Sequence, residues 1–160
     1  MVVLEKDLCY RSTSAMLSAG GIRQQFSVPE NIKMSMYGAE FLKNPQQLAV
    51  DGEIPDLQFH ENGYLFLTGD KSKHVMLENY QTQRECGADW MKLLNKEQMA
   101  HKFPWLHLGE CEGSSALVLG SYGEKNEGYF DPWLFVNALK RKNISMGVKY
   151  VEGHVSAPPT

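Results

Sequence analysis

The sequence predicts a mixed α/β fold, in which α/β units at both ends of the chain flank an antiparallel sheet. Short β-branched runs alternate with amphipathic helical segments near both termini, which is typical of parallel α/β units. In the middle of the chain, Asn62-Gly63 separates two strand-like runs, and this dipeptide is a strong hairpin signal. The length of 160 residues corresponds to about one domain.

The first half of the chain shows a strand, a helix and a hairpin. Val2–Glu5 is a short β-branched run, which predicts a buried parallel strand. The segment 27–30, SVPE, matches a capping box with proline in the first turn, and it predicts a helix that ends near Leu42. The alternating run 56–61 and the run 64–68 predict the two strands of the hairpin.

A second helix is predicted after the hairpin. Helical spacing of apolar residues extends from Lys71 to Cys86. Val75, Leu77 and Tyr80 are expected to form its buried side.

The remaining elements are short, apart from one long helix near the end. Strands are predicted at 91–94, 116–120 and 148–151, and a short helix with a side-chain cap begins within 95–98. Asp-Pro at the start of 131–146 predicts an N-cap followed by proline at the first helical position.

Composition and charge exclude several classes of function. Sixteen basic and 19 acidic side chains give a net charge of −3 and a pI near 5.9, so the chain lacks the positive charge that a nucleic-acid binder needs. No apolar run approaches the roughly 18 residues of a transmembrane segment. The N-terminal residues show no targeting peptide.

The cysteines and histidines show no metal or disulfide pattern. The three cysteines are far apart and odd in number, and no pair has CxxC spacing, which indicates a reducing intracellular compartment. The histidines form neither HxxxH nor HExxH, so no metal site is expected. These residues are Cys9, Cys86, Cys111, His60, His74, His101, His107 and His154.

Two segments near the N-terminus carry chemistry that has an ordinary alternative. Glu5 closes the first strand, where dinucleotide-binding folds place an acid that accepts ribose hydroxyls, but an acid at a strand end is also common. The GxGxxG loop that precedes such an acid by about 20 residues has no place before Glu5. The segment 12–23 combines hydroxyls, paired glycines and Arg23, so it is either an anion-binding concavity or an exposed Gly-Ser loop.

Two further features have structural explanations that suffice. Asp131 is expected to cap its helix rather than to act in catalysis, because no second acid or base can be placed beside it. The basic run 140–142 is expected to be a solvated helix face. The catalytic residues therefore remain unassigned.

Five segments form an ordered set that is similar to a known family. They are VVLEKD at 2–7, SAGGIRQQFSVPENIKMS at 18–35, NGYLFL at 62–67, FPWL at 103–106 and GSYGEKNEGYFDPWLFVNALKRK at 120–142. Together they resemble the D-amino-acid oxidase/sarcosine dehydrogenase family of FAD-dependent oxidoreductases. The resemblance extends to about Gly153, and GGIRQQFSVPEN and EGYFDPW are its most specific parts.

The resemblance implies FAD as the cofactor and assigns the residues that bind it. Glu5 and Lys6 would hold the adenosine ribose, three hydroxyls would lie along the pyrophosphate, and the GGIR segment would line the flavin ring. Some relatives bind FAD covalently through a histidine that corresponds to Ser18, so FAD binding here is expected to be non-covalent. The implied cofactor-binding residues are Glu5, Lys6, Ser12, Thr13, Ser14, Gly20, Gly21, Ile22 and Arg23.

The resemblance also implies a domain organisation. Residues 1–50 would be part of a Rossmann-like FAD-binding domain, 51–127 a substrate-domain portion with the hairpin, and 128–160 a helix and strand returning toward the FAD domain, with an irregular tail at 154–160. Because the Gly-rich loop and the family's C-terminal half have no counterpart, we expect a fragment truncated at both ends. Such a fragment should bind FAD weakly and be inactive alone.

The function that the resemblance implies is oxidation of amine or amino-acid C–N substrates by hydride transfer to flavin. One family member that the chain resembles is a mitochondrial assembly factor for respiratory complex I. The alternative is therefore a non-catalytic assembly factor, with complex I subunits as partners and FAD structural or vestigial. A mitochondrial location follows from the resemblance alone.

Overall fold

The structure, a computed structural model, describes residues 1–110 and 116–156. Cys111 and the last residues of the tail predicted at 154–160 therefore lie outside the described residues. The chain divides into two compact units. Unit 1 contains residues 1–21 and 42–59 and the described residues from 130 onward, and unit 2 contains 22–41 and the described residues of 60–129.

The prediction of a mixed α/β fold is confirmed, because seven strands and four α-helices alternate along the described chain. The strands are β1 Val2–Glu5, β2 Gly21–Ile22, β3 Tyr64–Thr68, β4 Met91–Asn95, β5 Leu119–Gly123, β6 Gly128–Tyr129 and β7 Lys149–Glu152. The α-helices are α1 Pro29–Lys43, α2 Lys73–Glu85, α3 Lys96–Lys102 and α4 Pro132–Ser145. Short 3₁₀ turns occupy Pro45–Leu48 and Asp70–Ser72.

Unit 1 contains a parallel pair of strands. β1 pairs with β7 from Val2 opposite Lys149 to Glu5 opposite Glu152, as expected for an α/β unit. The predicted burial of β1 is wrong, because Val2 is 57% exposed and Leu4 56% exposed. Exposure alternates along β1, so the side chains on one face of this two-stranded sheet are partly buried and those on the other face are exposed.

Helix α4 of unit 1 begins as its sequence predicts. Asp131 accepts hydrogen bonds through Oδ1 from the backbone N–H groups of Trp133 at 2.8 Å and Leu134 at 3.0 Å, which confirms the N-cap. The solvated-face interpretation of 140–142 is wrong in part. Lys140 donates to the Leu8 carbonyl at 3.0 Å and Lys142 to the Ala49 carbonyl at 2.9 Å.

Unit 2 is built on an antiparallel sheet in the order β3-β5-β4. Phe66 and Leu93 both lie opposite Ser121 in the register of the sheet, so these three residues share one face. On the other face, Leu94 of β4 and Met99 of α3 form a core with Leu108. Helix α3 begins with the predicted side-chain cap, a reciprocal pair between Asn95 and Gln98.

The predicted hairpin is wrong. The run 56–61 forms no strand, and β3 pairs with β5, more than fifty residues farther along the chain. Gly63 has a φ of +81°, but a Cβ atom there would lie 2.6 Å from the Tyr122 hydroxyl. The Asn-Gly signal therefore marks a close approach of the backbone to β5 rather than a turn between adjacent strands.

The buried side of α2 also differs from its prediction. Val75 is 44% exposed and Leu77 is 41% exposed, whereas Gln83 is 3% exposed. The helix thus turns a polar residue inward, which apolar spacing cannot reveal.

None of the described helices is long and apolar enough to cross a membrane.

Candidate functional site

A cavity of about 260 Å³ lies within unit 2. It is bordered by the segment after β2, by one end of β3, by Ser121 of β5 and by the inward side of α2. Its lining residues are Arg23, Gln25, Phe66, Leu67, Thr68, Ser72, Val75, Met76, Asn79, Gln83 and Ser121.

Four polar atoms that belong to residues of this lining are buried and unpaired. Within the described residues, Arg23 Nε, Gln25 Oε1, Gln83 Oε1 and Ser121 Oγ have no hydrogen-bond partner. These are also all the unpaired buried side-chain atoms of the described chain, and every one belongs to a residue that lines the cavity. A buried polar group without a partner costs about 1–3 kcal/mol, so their concentration at one place points to a ligand site.

The guanidinium of Arg23 is held by aromatic rings. Its Cζ atom lies 4.7 Å from the ring centroid of Phe26, 5.3 Å from that of Phe66 and 5.9 Å from that of Tyr64. No carboxylate of the described chain forms a salt bridge with it. The positive charge is thus positioned without a direct salt bridge, which suits it to bind an anionic group.

The two glutamines present their carbonyl oxygens as the unpaired atoms. Gln25 donates through Nε2 to the Tyr64 carbonyl at 2.9 Å and to Glu127 Oε2 at 2.9 Å. Gln83 donates through Nε2 to the Phe26 carbonyl at 3.3 Å. Because the two backbone carbonyls can only accept, as Glu127 does when it is ionised, each amide is oriented with its nitrogen toward these partners and its oxygen left unpaired.

Glu127 is the buried acid beside this lining, with no exposed surface. Besides the bond from Gln25, its Oε1 accepts the backbone N–H of Gln24 at 2.6 Å. Burial raises the pKa of Glu127 to about 7, against hydrogen bonds from Gln25 and Gln24 and the positive charge of Arg23, all of which lower it.

Glycines make room for the Glu127 side chain. A Cβ atom on Gly123 would lie 2.0 Å from its Oε2, so no larger residue fits there without a shift. Gly128 has a φ of +159°, and a Cβ atom there would lie 1.9 Å from the His60 carbonyl. The two glycines that flank Glu127 thus permit the tight loop that buries it.

Gln24 anchors the segment that carries Arg23 and Gln25. It is completely buried, and its Nε2 donates to the Asn126 carbonyl at 3.0 Å. Its Oε1 accepts the indole N–H of Trp90 at 3.2 Å. These two side-chain bonds fix the position of Gln24 and, with it, the backbone on which Arg23 and Gln25 lie.

The cofactor-binding residues implied by the resemblance fall in both units. Glu5, Lys6, Ser12, Thr13, Ser14, Gly20 and Gly21 belong to unit 1, and Ile22 and Arg23 belong to unit 2. Glu5 is half-buried at the end of β1, and its Oε1 accepts the backbone N–H of Asp7 at 3.2 Å. Lys6, Ser12 and Ser14 are exposed.

Several residues of the 12–23 segment are engaged in local turns. Thr13 donates through its hydroxyl to the Tyr10 carbonyl at 3.1 Å, and Ser18 accepts the backbone N–H of Gly20 at 3.0 Å. Gly20 itself is buried with a φ of +67°. The flavin-lining role of these residues remains a prediction. Arg23, the last residue of the segment, lines the unit 2 cavity.

Sequence reasoning did not identify most of the cavity. Gln25, Gln83, Ser121 and Glu127 carry no local motif, and they come together through strand register and helix packing over long sequence distances. The one usable signal was the pair of acids between Gly123 and Gly128, and it does not by itself distinguish Glu127 from Glu124. Among the described residues, no group of three or more His, Cys, Asp or Glu side chains could hold a metal ion.

Solved structures show the same fold as this chain. The L-proline dehydrogenase from P. horikoshii superposes with a TM-score of 0.73 at 25% identity, over 94% of this chain and 37% of that one. The glycine oxidase from Bacillus cereus superposes with a TM-score of 0.69 at 17% identity, over 94% of this chain and 39% of that one.

Curated relatives match along almost the full sequence. FAD-dependent oxidoreductase domain-containing protein 1 of Xenopus laevis is 46% identical over 158 residues, and that of Bos taurus is 43% identical over 158 residues. These alignments cover 98% of this chain, which spans about 30% of the length of the relatives. A family model described as FAD dependent oxidoreductase (DAO) matches residues 1–158. The chain therefore belongs to the DAO family of FAD-dependent oxidoreductases.

Proposed function

We propose that this protein is a FAD-dependent oxidoreductase that oxidises the C–N bond of a small amino acid or related amine, and that the unit 2 cavity binds this substrate. The observation that carries the proposal is the set of four unpaired buried atoms at the cavity. Family membership supplies the reaction class, and the cavity supplies the substrate class.

The unpaired atoms are complementary to an amino acid. Arg23 offers a charged donor, which matches a carboxylate. Gln25 and Gln83 offer carbonyl oxygens, which match the N–H groups of an amine. A ligand that carries a carboxylate and an N–H group on neighbouring atoms would satisfy both kinds of group, whereas a purely apolar ligand would leave all four atoms unpaired.

The size of the cavity favours a small substrate. A volume of about 260 Å³ lies below the range of roughly 300–1,000 Å³ found for sites that bind drug-sized ligands. The two solved relatives are named for L-proline and for glycine, both of which are small amino acids. We therefore infer a substrate of this size.

The residues of unit 1 fit the adenosine end of FAD. Glu5 is half-buried at the end of a parallel strand, and its Oε2 accepts no hydrogen bond from the described residues, so it is available to ribose hydroxyls. Ser12 and Ser14 are exposed and could contact the pyrophosphate. Because Ser18 cannot form a histidyl–flavin bond, we infer non-covalent FAD binding by this chain.

FAD, when bound, supplies the acceptor for the hydride that leaves the substrate carbon. The residues of the chain supply binding and orientation. Arg23 would hold the carboxylate, Gln25 and Gln83 would receive the N–H groups, and the rings of Phe26 and Phe66 would exclude water around the guanidinium.

The test of substrate oxidation is anaerobic reduction of bound flavin by L-proline and glycine. We expect the flavin absorbance band to bleach with one of them, and we expect Arg23→Met to raise the half-saturating concentration at least about thirtyfold. The control is Arg84→Met, because Arg84 pairs with Asp89 away from the cavity lining. Bound flavin that no small amino acid or amine reduces would contradict the proposed function.

The test of the cofactor site is FAD affinity. Glu5→Gln should weaken FAD binding about tenfold, because a charged hydrogen bond to the ribose is lost. Glu152→Gln is the matched control, since Glu152 lies opposite Glu5 in the strand register and is exposed. Equal FAD affinity in the two variants would contradict the ribose role.

The second candidate function is a non-catalytic assembly factor for respiratory complex I in mitochondria. It rests on the resemblance alone. Purification of the protein with complex I subunits, without reduction of its flavin by any amine, would favour this function over the first. Substrate turnover without such association would count against it.

A further inference from the structure

We propose that Glu127 is a positioning residue that sets the hydrogen-bonding polarity of the unit 2 cavity, by holding the Gln25 amide with its carbonyl oxygen available to the ligand. This inference rests on the proposed function in that it takes the cavity as the ligand site. It adds a specificity-determining residue that contacts no substrate itself.

The Gln25 amide has both of its N–H groups committed. One donates to the Tyr64 carbonyl and the other to Glu127 Oε2, each at 2.9 Å. A flipped amide would lose both bonds and would place its oxygen against two other oxygens. The orientation is therefore fixed as long as residue 127 only accepts at this position.

Glu127 is itself held in place. Its Oε1 accepts the Gln24 backbone N–H, which directs its Oε2 to Gln25. The absence of a side chain on Gly123 leaves the space that the carboxylate occupies. Since Glu127 has no exposed surface, water cannot take over either bond.

The consequence is a cavity that favours N–H donors. With its nitrogen engaged, Gln25 keeps a buried, unpaired Oε1, as Gln83 does through its own bond to Phe26, and we infer that a ligand N–H group supplies the missing partner. An ether oxygen in the place of an amine would meet two acceptors and leave them unpaired. The cavity should therefore discriminate between ligands that differ only at this atom.

Substitution by glutamine removes this control. The side chain of Glu127→Gln must keep an oxygen on the Gln24 N–H, so its own nitrogen would point at the Gln25 nitrogen. If the Gln25 amide flips to relieve this clash, its oxygen meets the Tyr64 carbonyl. Neither orientation satisfies both neighbours, so the fixed polarity is lost.

Protonation of Glu127 should weaken the selectivity of the cavity, as the Glu127→Gln substitution does. Its pKa lies at about 7, so the carboxylate form dominates above that pH and the neutral form below it. The ionisable groups around it are Arg23, whose charge favours the carboxylate, and Tyr64, whose backbone carbonyl shares the Gln25 amide. We therefore expect the selectivity of the cavity to be strongest in alkaline solution.

The experiment compares L-proline with 2-tetrahydrofuroate, in which a neutral ether oxygen replaces the ring NH₂⁺ group. Dissociation constants of both are measured by titration calorimetry at pH 8.5 on the purified protein and its variants. The wild-type protein should prefer L-proline, and Glu127→Gln should reduce this preference roughly tenfold. Glu124→Gln is the control, since Glu124 lies on the same loop but pairs with Lys92.

An NMR titration and a second variant test the role of Glu127 in two further ways. The titration needs no ligand, and the second variant serves if Glu127→Gln does not fold. In protein with ¹⁵N-labelled glutamine, the Gln25 side-chain signal should titrate with a midpoint near 7 and stop titrating in Glu127→Gln. Gln25→Met identifies that signal by its disappearance, and this variant should also lose the preference for L-proline.

The outcomes separate the two proposals. Unchanged preference in Glu127→Gln, or a Gln25 signal that does not respond to pH, overturns the role of Glu127 while leaving the substrate class intact. No binding of either probe to the wild-type protein contradicts the proposed function and with it the selectivity. A reduced preference together with the Gln25 titration supports both.

Discussion

Glu127 Oε1 accepts the backbone N–H of Gln24 at 2.6 Å across 103 residues of chain. The bond ties the loop after β5 to the segment that carries Arg23 and Gln25, and it lies wholly inside unit 2. A carboxylate buried at such a place influences both the stability and the ligand site of the unit. The two effects can be measured separately.

The stability of unit 2 should fall as the pH rises through the neutral range. Burial raises the pKa of Glu127 from 4.5 to about 7, so between these values the unfolded chain is ionised while the folded chain holds its proton. The free energy of unfolding should therefore drop by about 3 kcal/mol from pH 4.5 to above pH 7. Chemical unfolding across this range measures the change.

The control for this pH effect is Glu127→Gln, which has no proton to lose. Its unfolding free energy should lack the Glu127 contribution, so the difference from wild type should change by about 3 kcal/mol across the same range. Asp7 and Glu124, whose pKa values are lowered by their partners Arg11 and Lys92, act only at more acid pH. A constant difference between the two proteins would contradict a raised pKa.

The two serines Ser121 and Ser35 should respond oppositely to the same substitution. Ser121 Oγ is buried without a partner among the described residues, so Ser121→Ala should raise the free energy of unfolding by about 1 kcal/mol. Ser35 donates to the Arg23 carbonyl at 2.6 Å, so Ser35→Ala should lower it by about 1–2 kcal/mol. Urea unfolding of both variants without ligand provides the measurement.

Ligand binding gives the second half of this prediction. Ser121→Ala should bind L-proline less tightly than wild type, because the Ser121 hydroxyl would no longer be there to bond to the ligand. A substitution that stabilises the fold but weakens binding would mark this hydroxyl as a group kept for function. Destabilisation by Ser121→Ala in the absence of ligand would instead mean that its hydroxyl has a partner, and would remove one of the four atoms from the proposed site.

Local signals predicted the helix starts, and long-range packing decided what they missed. Asp131 and Asn95 cap their helices through bonds to residues two or three positions away, so their neighbours suffice to predict them. The turn signal at Asn62-Gly63 failed because the partner of β3 is β5, and local sequence does not contain that pairing.

The site was harder to predict than the fold for the same reason. Gln83 lies on a helix whose apolar spacing pointed to Val75 and Leu77, yet it is the buried residue of α2. In the sequence Glu127 looks like an ordinary loop acid, and only the structure shows its bonds to Gln24 and Gln25. Family resemblance named Arg23 as a flavin-lining residue, which stays a prediction, and it could not show that Arg23 borders this cavity.

Asp131 should act as a helix cap and not as a catalytic acid. Its Oδ1 accepts two backbone N–H groups at the start of α4, so Asp131→Ala should lower the free energy of unfolding by about 1 kcal/mol. Asp131→Asn keeps an accepting oxygen and should stay within about 0.5 kcal/mol of wild type. Flavin reduction that is abolished in Asp131→Asn while the fold is retained would show that the carboxylate has a catalytic role instead.

A comparison of two glycines of unit 1 allows the cost of backbone strain to be measured separately from the cost of a steric clash. Gly20 and Gly52 both have positive φ, +67° and +84°, so alanine is strained at either position by about 1 kcal/mol. At Gly20 a Cβ atom would also lie 2.1 Å from the Phe130 carbonyl, whereas nothing lies within 4 Å at Gly52. Gly20→Ala should therefore cost about 2–5 kcal/mol of unfolding free energy and Gly52→Ala only about 1 kcal/mol. Equal losses in thermal or urea unfolding would show that Gly20 is needed for its φ alone and that the Phe130 backbone does not pack against it.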